Sequence, residues 1–395
     1  MARFAQGSDI FDNEDALRDN YTPDELIERD DEIETYEAAL QPTVNGARPR
    51  NIFVYGETGV GKTLATRYIL DDLEADQEHF EGVSIRVEWL NCKDLTSYQI
   101  VTQLVNKFRE PPNEISPSGY GRGTVNRMLW SELNDLDETH VLFVLDEVDS
   151  IGSDDDLLYQ LPRCNDNQVT ETKVGLIGIS NDFTFRESLS ARVQSSLCEH
   201  EIHFKPYDAN QLRRILEQRA GEAFLPDVLA DDVIPKVAAL AAQDTGSARH
   251  ALDILYKAGS LARERQQSDV TIENVNEAKD LVERGVIEDE LRALPTQSHL
   301  VLLAILRLHR EGKDPVRRKT IYNVYENAAE MIDTDVKASR TIQNRLSQLS
   351  LKGFLAVDER NEGVKGGKYY QYSLDVREEI VEDALRQDRR IEDLI

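Results

Sequence analysis

The sequence predicts an α/β fold: a mainly parallel, doubly wound sheet, then an all-helical segment, then a C-terminal domain that closes with a hairpin. Three observations support this prediction. Between residues 51 and 207, about five short apolar runs alternate with helical patterns, as in parallel sheets with crossover helices. Residues 208–290 show only helical periodicity. Residues 354–375 have the pattern of two strands joined by a Gly-rich tip.

The N-terminal 50 residues are polar and acidic and are expected to lead into the sheet through a helix. In YTPDELIERDDEIETYEAAL, Thr22 is the predicted N-cap and Pro23 the first helical residue. The apolar positions of this predicted helix are Leu26, Ile33, Tyr36 and Leu40.

The predicted strands lie in NIFVYG, VSIRVEWLNC, HVLFVLDEVD, KVGLIGISND and CEHEIHFKPY, which begin at residues 51, 83, 140, 173 and 198. Asp208 is then placed to cap the first helix of the helical segment. Helices followed by a hairpin at the C-terminus indicate a winged helix. The predicted domains are an N-terminal segment (1–50), a sheet core (51–207), a helical lid (208–290) and a winged helix (291–395).

The chain is strongly acidic, with 46 Lys and Arg against 74 Asp and Glu, a net charge of −28. Its hydrophobic content of 40% and its periodic segments argue against disorder as the reason. A salt-adapted cytoplasm explains the acidity better, because the Debye length falls to roughly 3 Å at 1 M salt and screens self-repulsion.

The acidity is uneven along the chain. Residues 291–395 carry 18 basic and 17 acidic side chains, whereas residues 1–290 carry 28 and 57. A nearly neutral C-terminal domain in an otherwise acidic protein is expected where a surface meets phosphates, although chance fluctuation is the alternative.

Cysteine usage and hydropathy indicate the kind of cellular compartment in which the protein is expected. Cys92, Cys164 and Cys198 lack metal-ligand spacing and are interpreted as small buried residues in a reducing cytoplasm. No apolar run approaches the roughly 18 residues that a membrane span needs, so no membrane partner is expected.

A phosphate-binding loop is predicted where the first strand meets a helix. GETGVGKTL follows the strand, so that glycine-rich backbone N–H groups and a helix N-terminus would face the phosphates of ATP or ADP. Lys62 would neutralise phosphate charge and Thr63 would bind Mg²⁺. The residues expected to hold the nucleotide here are Gly56, Glu57, Thr58, Gly59, Val60, Gly61, Lys62, Thr63 and Leu64.

Polar residues at the ends of later strands complete the predicted site. Asp146 would hold Mg²⁺ and Glu147 would polarise the attacking water, which predicts hydrolysis as well as binding. Asn181 closes the next strand and would orient that water or contact the γ-phosphate. Arg249, near the start of a helix in the second block, would reach the nucleotide from there. Turn-forming or solvated roles are the alternatives for Asn181 and Arg249.

Taken in order, these motifs resemble the archaeal AAA+ replication initiators related to the eukaryotic origin recognition and cell division control proteins. Many ATPases share the P-loop and the acidic pair. The segments that favour this family over other ATPases are LSARVQSSL at residues 189–197 and GSARHALDIL at 246–255, together with the C-terminal domain. The resemblance implies Walker A, Walker B, sensor 1 and sensor 2 roles for the residues above. It also implies that Pro23 and Arg29 lie beside adenine, although Glu28 stands where the family commonly has histidine.

The resemblance also implies contacts with double-stranded DNA. GYGRGTVNRMLWSELNDL, residues 119–136, occupies the place of an insertion that touches DNA, with Arg122, Asn126 and Arg127 as the exposed candidates. The equal alternative is an ordinary packing helix whose Met128, Leu129 and Leu133 face the core. In the winged helix, residues 337–353 would form the recognition helix and the wing tip would reach the backbone or minor groove. The predicted contacts of this domain are Arg340, Thr341, Asn344, Arg345, Lys365 and Lys368.

The expected function is therefore ATP-dependent initiation at origin DNA with slow ATP hydrolysis. The resemblance implies the replicative helicase as a partner, and further copies of the initiator are a second candidate partner. Arg192 is a candidate arginine finger, but Ser196 stands where clamp-loader relatives have their arginine. Two alternatives stay open: an ATP-gated winged-helix transcription regulator and a clamp-loader-like remodelling ATPase. A winged helix used for protein contacts is a further alternative for the C-terminal domain.

Overall fold

A computed structural model describes residues 10–19, 21–152, 154–166, 169–361 and 368–395. The chain divides into two compact units, residues 1–276 and 277–395. The helices of the first unit are α1 (Asp30–Val44), α2 (Lys62–Asp76), α3 (Ser97–Lys107), α4 (Arg122–Asn134), α5 (Asp156–Gln160), α6 (Phe185–Ser188), α7 (Ala191–Leu197), α8 (Ala209–Ala223), α9 (Val233–Asp244) and α10 (Ala248–Glu264); α11 (Ile272–Arg292) begins in the first unit and ends in the second.

The first unit is built on a five-stranded parallel sheet in the order β2-β3-β4-β1-β5, which confirms the predicted doubly wound sheet. Helices cover both of its faces. The strands are β1 (Ile52–Gly56), β2 (Ile85–Asn91), β3 (His140–Asp146), β4 (Lys173–Ser180) and β5 (His200–Phe204).

The interior strand β3, which pairs with β2 and β4, shows why the apolar runs are continuous. Val141, Phe143 and Leu145 pack into the core on one face of the sheet, and Leu142 and Val144 pack into the core on the other. Successive side chains of a strand point to opposite faces, so a strand covered on both sides needs apolar residues at every position.

The predicted start of the first helix is wrong. Helix α1 begins at Asp30, with Arg29 as the N-cap, and not after Thr22. The residues before it are held by α8: Gln218 Nε2 donates to the carbonyl of Glu25 at 2.9 Å, and Arg214 pairs with Glu28, whose φ is +65°. Tertiary contacts therefore override a local N-cap signal, and Pro23 is a buried non-helical residue.

The lid, defined here as α8, α9 and α10, is joined to the sheet by residues 205–208, called the hinge below. Asp208 caps α8 as predicted, because its carboxylate accepts from the backbone N–H groups of Asn210 and Gln211 and the side chain of Gln211 completes a capping box. Phe11 packs on Phe224 at the end of α8, with ring centroids 4.9 Å apart. The N-terminal segment thus contributes to the core of the lid, which the sequence analysis did not predict.

The second unit has the predicted helices-then-hairpin pattern, with a three-stranded antiparallel sheet in the order β6-β8-β7. Its core includes α12, whose residues Leu300–Leu306 are fully buried. Helix α14 corresponds to the predicted recognition helix. The elements are α12 (Thr296–Arg310), β6 (Val316–Arg317), α13 (Arg318–Met331), α14 (Ser339–Leu351), β7 (Leu355–Asn361), β8 (Lys368–Leu374) and α15 (Glu378–Arg386).

The thiols lie in the first unit and are shielded from solvent. Cys92 and Cys164 are buried, and burial raises the pKa of each thiol to about 12. Cys198 is half-buried, and burial raises its pKa to about 11. Among the described helices, none has the length and apolar character that a membrane span requires.

Candidate functional site

The loop between β1 and α2, residues 56–61, has the curled backbone that its glycines predict. Gly59 and Gly61 adopt φ of +80° and +93°, in the left-handed region that glycine tolerates. At Gly56, a Cβ would lie 2.3 Å from the carbonyl oxygen of Phe204, so a side chain there would collide with backbone. The loop with the first turn of α2, residues 56–64, is called the P-loop below.

Lys62 lies across this loop. Its Nζ donates to the carbonyl oxygens of Gly56 at 2.8 Å and Glu57 at 2.6 Å, and only 4% of the residue is exposed. Burial lowers the pKa of Lys62 to about 8, although Asp146 and Asp149 nearby act in the opposite direction. A shielded ammonium at the start of a helix is placed to meet phosphate oxygens.

The acidic pair lies at the end of β3 as predicted, and Asp146 is joined to the P-loop. Thr63 Oγ1 donates to Asp146 Oδ2 at 3.0 Å. Burial raises the pKa of Asp146 above its usual value, partly offset by the hydrogen bonds from Thr63 and from the backbone of Glu147. A hydroxyl and a carboxylate in contact form an oxygen donor set that fits Mg²⁺.

Glu147 is held in an unusual conformation at the strand end. Its φ is +53°, and Asn91 Nδ2 donates to its Oε1 at 3.3 Å. Asn91 is the last residue of the neighbouring strand β2, where it pairs in register with Asp146. Asn91 was not among the residues predicted from the sequence, although its position at the end of an apolar run is the same signal that identified Asn181.

Asn181 follows β4, which lies between β3 and β1 in the sheet. It is exposed, and its backbone N–H donates to Asp149 Oδ1 at 3.1 Å. Because the carboxyl ends of parallel strands meet at one edge of the sheet, Asn181 lies at the same edge as the P-loop and the acidic pair.

The start of α10 packs directly on the P-loop. The backbone N–H of Ala248 donates to the carbonyl of Gly59 at 3.0 Å, and Ser247 caps the helix by accepting from the N–H of His250 at 3.2 Å. Arg249 follows at once and pairs with Asp19 at 2.9 Å. Arg249 was predicted near the start of this helix, whereas Ser247 was not predicted, although its position just before the helix is an ordinary N-cap signal.

Arg29 is almost completely buried beside the P-loop, and protein groups surround it. Its guanidinium donates to the carbonyls of Val60 and Lys205, to the hydroxyl of Tyr207 and to Glu32. It also stacks on the Tyr207 ring, with Cζ 3.7 Å from the centroid. No pattern in the sequence indicated that Tyr207 would contact Arg29.

Arg192 lies on the surface, on α7. It pairs with Asp156 at 3.3 Å and stacks on Tyr159, with Cζ 4.7 Å from the ring centroid. Ser196 is buried and its hydroxyl donates to the carbonyls of Arg192 and Val193.

Helix α4 has two different faces. Val125, Leu129 and Leu133 are fully buried, which matches the packing alternative for part of the helix. On the opposite side Arg127 is exposed, and Arg122, the first residue of the helix, is exposed but pairs with Asp154 at 2.7 Å. The same helix therefore packs on the core and presents arginines to solvent.

Most of the predicted side chains of the winged helix are at the surface. Arg340, Thr341 and Asn344 are exposed on α14, whereas Arg345 is half-buried and donates to Ser298 Oγ at 2.9 Å. Lys368 is exposed and pairs with Glu359 across the hairpin at 2.6 Å, which raises its pKa. The predicted contact Lys365 lies outside the described residues.

Family models match three successive parts of the chain. Residues 46–185 match an AAA domain, residues 213–280 match the Cdc6 AAA+ ATPase-type lid domain, and residues 289–384 match the CDC6 C-terminal winged helix domain.

Curated relatives resemble the chain over nearly its whole length. It is 52% identical to ORC1-type DNA replication protein 1 of Haloarcula marismortui, over 99% of this chain and 96% of the relative. It is 38% identical to the ORC1-type DNA replication protein of Pyrococcus furiosus, over 98% and 92%.

Among solved structures, the chain is similar to the Aeropyrum pernix ORC1 protein, solved in complex with DNA. The identity is 35% and the TM-score is 0.86, with 98% of this chain and 99% of that chain covered. These matches confirm the resemblance that the motifs predicted, and the chain belongs to the ORC1/Cdc6 family of DNA replication initiators and carries that family's AAA+ ATPase domain.

Proposed function

We propose that this chain is an ATP-dependent initiator that binds duplex origin DNA and uses slow ATP hydrolysis as a switch. The observation that carries the proposal is that two features occur in one chain. The P-loop is hydrogen-bonded to a carboxylate at the end of a strand, and the recognition helix of the winged helix exposes Arg340, Thr341 and Asn344.

The nucleotide would lie against the P-loop, with Lys62 at its β- and γ-phosphates. Thr63 and Asp146 would hold Mg²⁺, which neutralises phosphate charge when bound. Glu147 would accept a hydrogen bond from the attacking water, and Asn181 would orient that water. Asn91 supports this assignment because it fixes the carboxylate of Glu147 at the strand end.

Arg249 would report the phosphates to the lid. Its helix is docked on Gly59, so a contact between its guanidinium and the γ-phosphate needs only side-chain rearrangement away from Asp19. Such an arginine couples the presence of ATP to the position of the lid. Arg192 is a candidate for action on a neighbouring copy, and its exposure on α7 supports that proposal.

For DNA, α14 would enter the major groove, and Lys368 with the wing would approach the backbone or minor groove. Arg122 and Arg127 on α4 would add a second contact from the ATPase domain. The likeness to the Aeropyrum pernix ORC1 protein solved with DNA supports this proposal. Arg345, tied to Ser298, would position the helix more than it reads bases.

Recruitment of the replicative helicase and assembly with further initiator copies complete the proposal. The test is genome-wide DNA occupancy in the host at native salt, for wild type and an Arg340→Ala/Thr341→Ala double variant, at two exposed positions of α14, in parallel. Peaks at replication start sites that vanish in the variant are expected. Peaks at promoters would instead favour a transcription regulator, and no DNA enrichment would favour a clamp-loader-like remodelling ATPase.

A further inference from the structure

Arg29 has an environment that a base-contacting residue would not need. It is 3% exposed, and its guanidinium has four separate protein acceptors within 3.1 Å. A guanidinium carries five N–H donors, so four protein acceptors leave little capacity for a ligand. A buried charge is also costly unless it is well paired, so this network stabilises one fixed arrangement of the groups around it.

One branch of this network reaches the P-loop. Arg29 Nη2 donates to the carbonyl of Val60 at 2.7 Å. The next residue, Gly61, shares that peptide unit and has a φ of +93°. In a planar trans peptide the C=O and N–H point in opposite directions, so a carbonyl held by Arg29 directs the N–H of Gly61 away from Arg29. Arg29 thereby fixes the orientation of one donor of the phosphate-binding loop.

A second branch reaches the hinge. Arg29 Nη2 donates to the carbonyl of Lys205 at 2.8 Å, and Nε donates to the hydroxyl of Tyr207 at 2.8 Å. The planar guanidinium also stacks on the Tyr207 ring. The hinge segment that connects the sheet to the lid is thus held by the same side chain as the P-loop.

The contacts then close into a ring. The backbone N–H of Tyr207 donates to the carbonyl of Gly246 at 2.9 Å, two residues before Ala248. Ala248 in turn donates to Gly59 in the P-loop at 3.0 Å. The hinge packs closely on Gly246, because a Cβ there would lie 2.7 Å from Pro206 Cβ and 2.8 Å from the carbonyl oxygen of Tyr207. The P-loop, the hinge and the start of α10 are therefore linked by direct hydrogen bonds.

We propose that Arg29 is a positioning residue that locks the P-loop and the lid hinge into one unit through Val60, Lys205 and Tyr207, and that it supports nucleotide binding without touching the base. This inference rests on the proposed nucleotide function. It assigns to Arg29 a role different from the adenine contact that the family resemblance implies.

The test uses the full chain at native salt with three variants. Arg29→Lys keeps the charge but loses the planar fork that bridges Val60, Lys205 and Tyr207. Tyr207→Phe removes one acceptor and keeps the ring. Asp31→Asn is the matched control, because it removes a negative charge from the same first turn of α1 at an exposed residue outside the P-loop and the hinge. The measurements are dissociation constants for MgATP, MgADP and MgGTP, thermal midpoints, and hydrogen exchange of residues 57–61 and 205–208.

Arg29→Lys is expected to weaken MgATP and MgADP binding by roughly tenfold each, since a charge-assisted hydrogen bond is lost, with the ATP-to-GTP affinity ratio unchanged. Exchange should be faster in both segments. Tyr207→Phe should accelerate exchange chiefly in residues 205–208, and the exposed control Asp31→Asn should bind within about twofold of wild type. A lower thermal midpoint with wild-type affinity and local exchange would show a stabilising role only and would overturn the proposal.

A changed ATP-to-GTP ratio in Arg29→Lys would also overturn it, in favour of a direct base contact. Failure of the underlying nucleotide function gives a different result: wild type would then bind no MgATP, and Lys62→Ala would make no difference. That outcome would overturn both proposals, whereas wild-type affinity in Arg29→Lys alone would overturn only the role of Arg29.

Discussion

Ala248 and Gly59 are joined by a backbone hydrogen bond of 3.0 Å, so the first turn of a lid helix rests on the phosphate-binding loop. The contact is close, because a Cβ on Gly59 would lie 2.1 Å from Ser247 Oγ and 3.0 Å from Arg249 Cβ. A glycine at this position is thus required both by the left-handed backbone of the loop and by the approach of α10. A substitution of Gly59 therefore tests the contact with α10, provided that a second glycine with a left-handed backbone serves as the control.

Gly59→Ala is expected to lower nucleotide affinity by more than about tenfold and to lower the thermal midpoint, because α10 must move away from the loop. Gly82→Ala is the matched control. Gly82 has a similar φ of +70°, but a Cβ there would meet nothing within 4 Å. Both variants carry the backbone strain of about 1–2 kcal/mol. Equal effects of the two substitutions on affinity would contradict the importance of the α10 contact.

The buried Lys62 predicts a pH dependence of nucleotide affinity. With a pKa near 8, Lys62 loses its charge as pH rises through that value, so metal-free ADP should bind roughly tenfold more weakly at pH 9 than at pH 7. In the unfolded chain this lysine has a pKa of 10.5. Because the unfolded state then binds more protons than the folded state, Lys62 makes folding progressively more favourable as the pH rises from about 8 to about 10.5. Calorimetric titration checks the affinity. Lys62→Ala should bind weakly with a flat profile, and an equally flat wild-type profile would contradict the assignment.

Asp146→Asn should separate metal binding from stability. Burial raises the pKa of Asp146, so its ionised form destabilises the folded protein at neutral pH, and a neutral amide removes this cost. In EDTA, the variant is therefore expected to have a higher thermal midpoint than wild type, while Mg²⁺ no longer tightens ATP binding. Glu147→Gln is the comparison variant: it should keep Mg²⁺-dependent binding and lose turnover. A lower midpoint for Asp146→Asn in EDTA would argue against this account of the carboxylate.

The capping box of α8 predicts a difference between two aspartates at helix starts. Asp208→Ala removes two hydrogen bonds to backbone N–H groups and should lower the free energy of unfolding by about 1 kcal/mol. Asp232, the N-cap of α9, makes no side-chain capping bond, so Asp232→Ala should change stability little. Urea unfolding followed by circular dichroism measures both. Comparable losses in the two variants would rule out the box as the cause.

Arg340 and Arg345 are expected to differ although both lie on α14. Arg340 is exposed and, within the described part of the chain, makes no hydrogen bond or ion pair. Arg340→Ala should therefore weaken duplex binding, reduce the slope of log affinity against log salt by about 1, and leave the thermal midpoint unchanged. Arg345→Ala should lower the midpoint, because Ser298 loses its partner. A stability loss in the Arg340 variant would indicate a packing role in place of a DNA contact.

Much of the fold could be predicted because its signals are local. The apolar runs identified every strand of the parallel sheet, and the glycine spacing identified the loop at the end of β1. The start of α1 could not be predicted, because Thr22 and Pro23 form an acceptable helix start, and it is contacts with α8, from Arg214 and Gln218, that hold these residues outside a helix. Residue 214 is far away along the chain, and no local pattern indicates which groups will meet.

The sequence by itself determined the parallel sheet, the winged helix, the loop around Lys62 and the carboxylates at the end of β3. Each depends on periodicity, glycine spacing or strand-end polarity, which are properties of neighbouring residues. Only the tertiary structure decided that Asn91 reaches Glu147, that Gly59 supports α10, and that Arg29 joins the P-loop to the hinge. Packing of the strands against one another, and of the lid against the sheet, brings these residues together. Burial of apolar surface, and not the conformational preference of neighbouring residues, sets the distances between them.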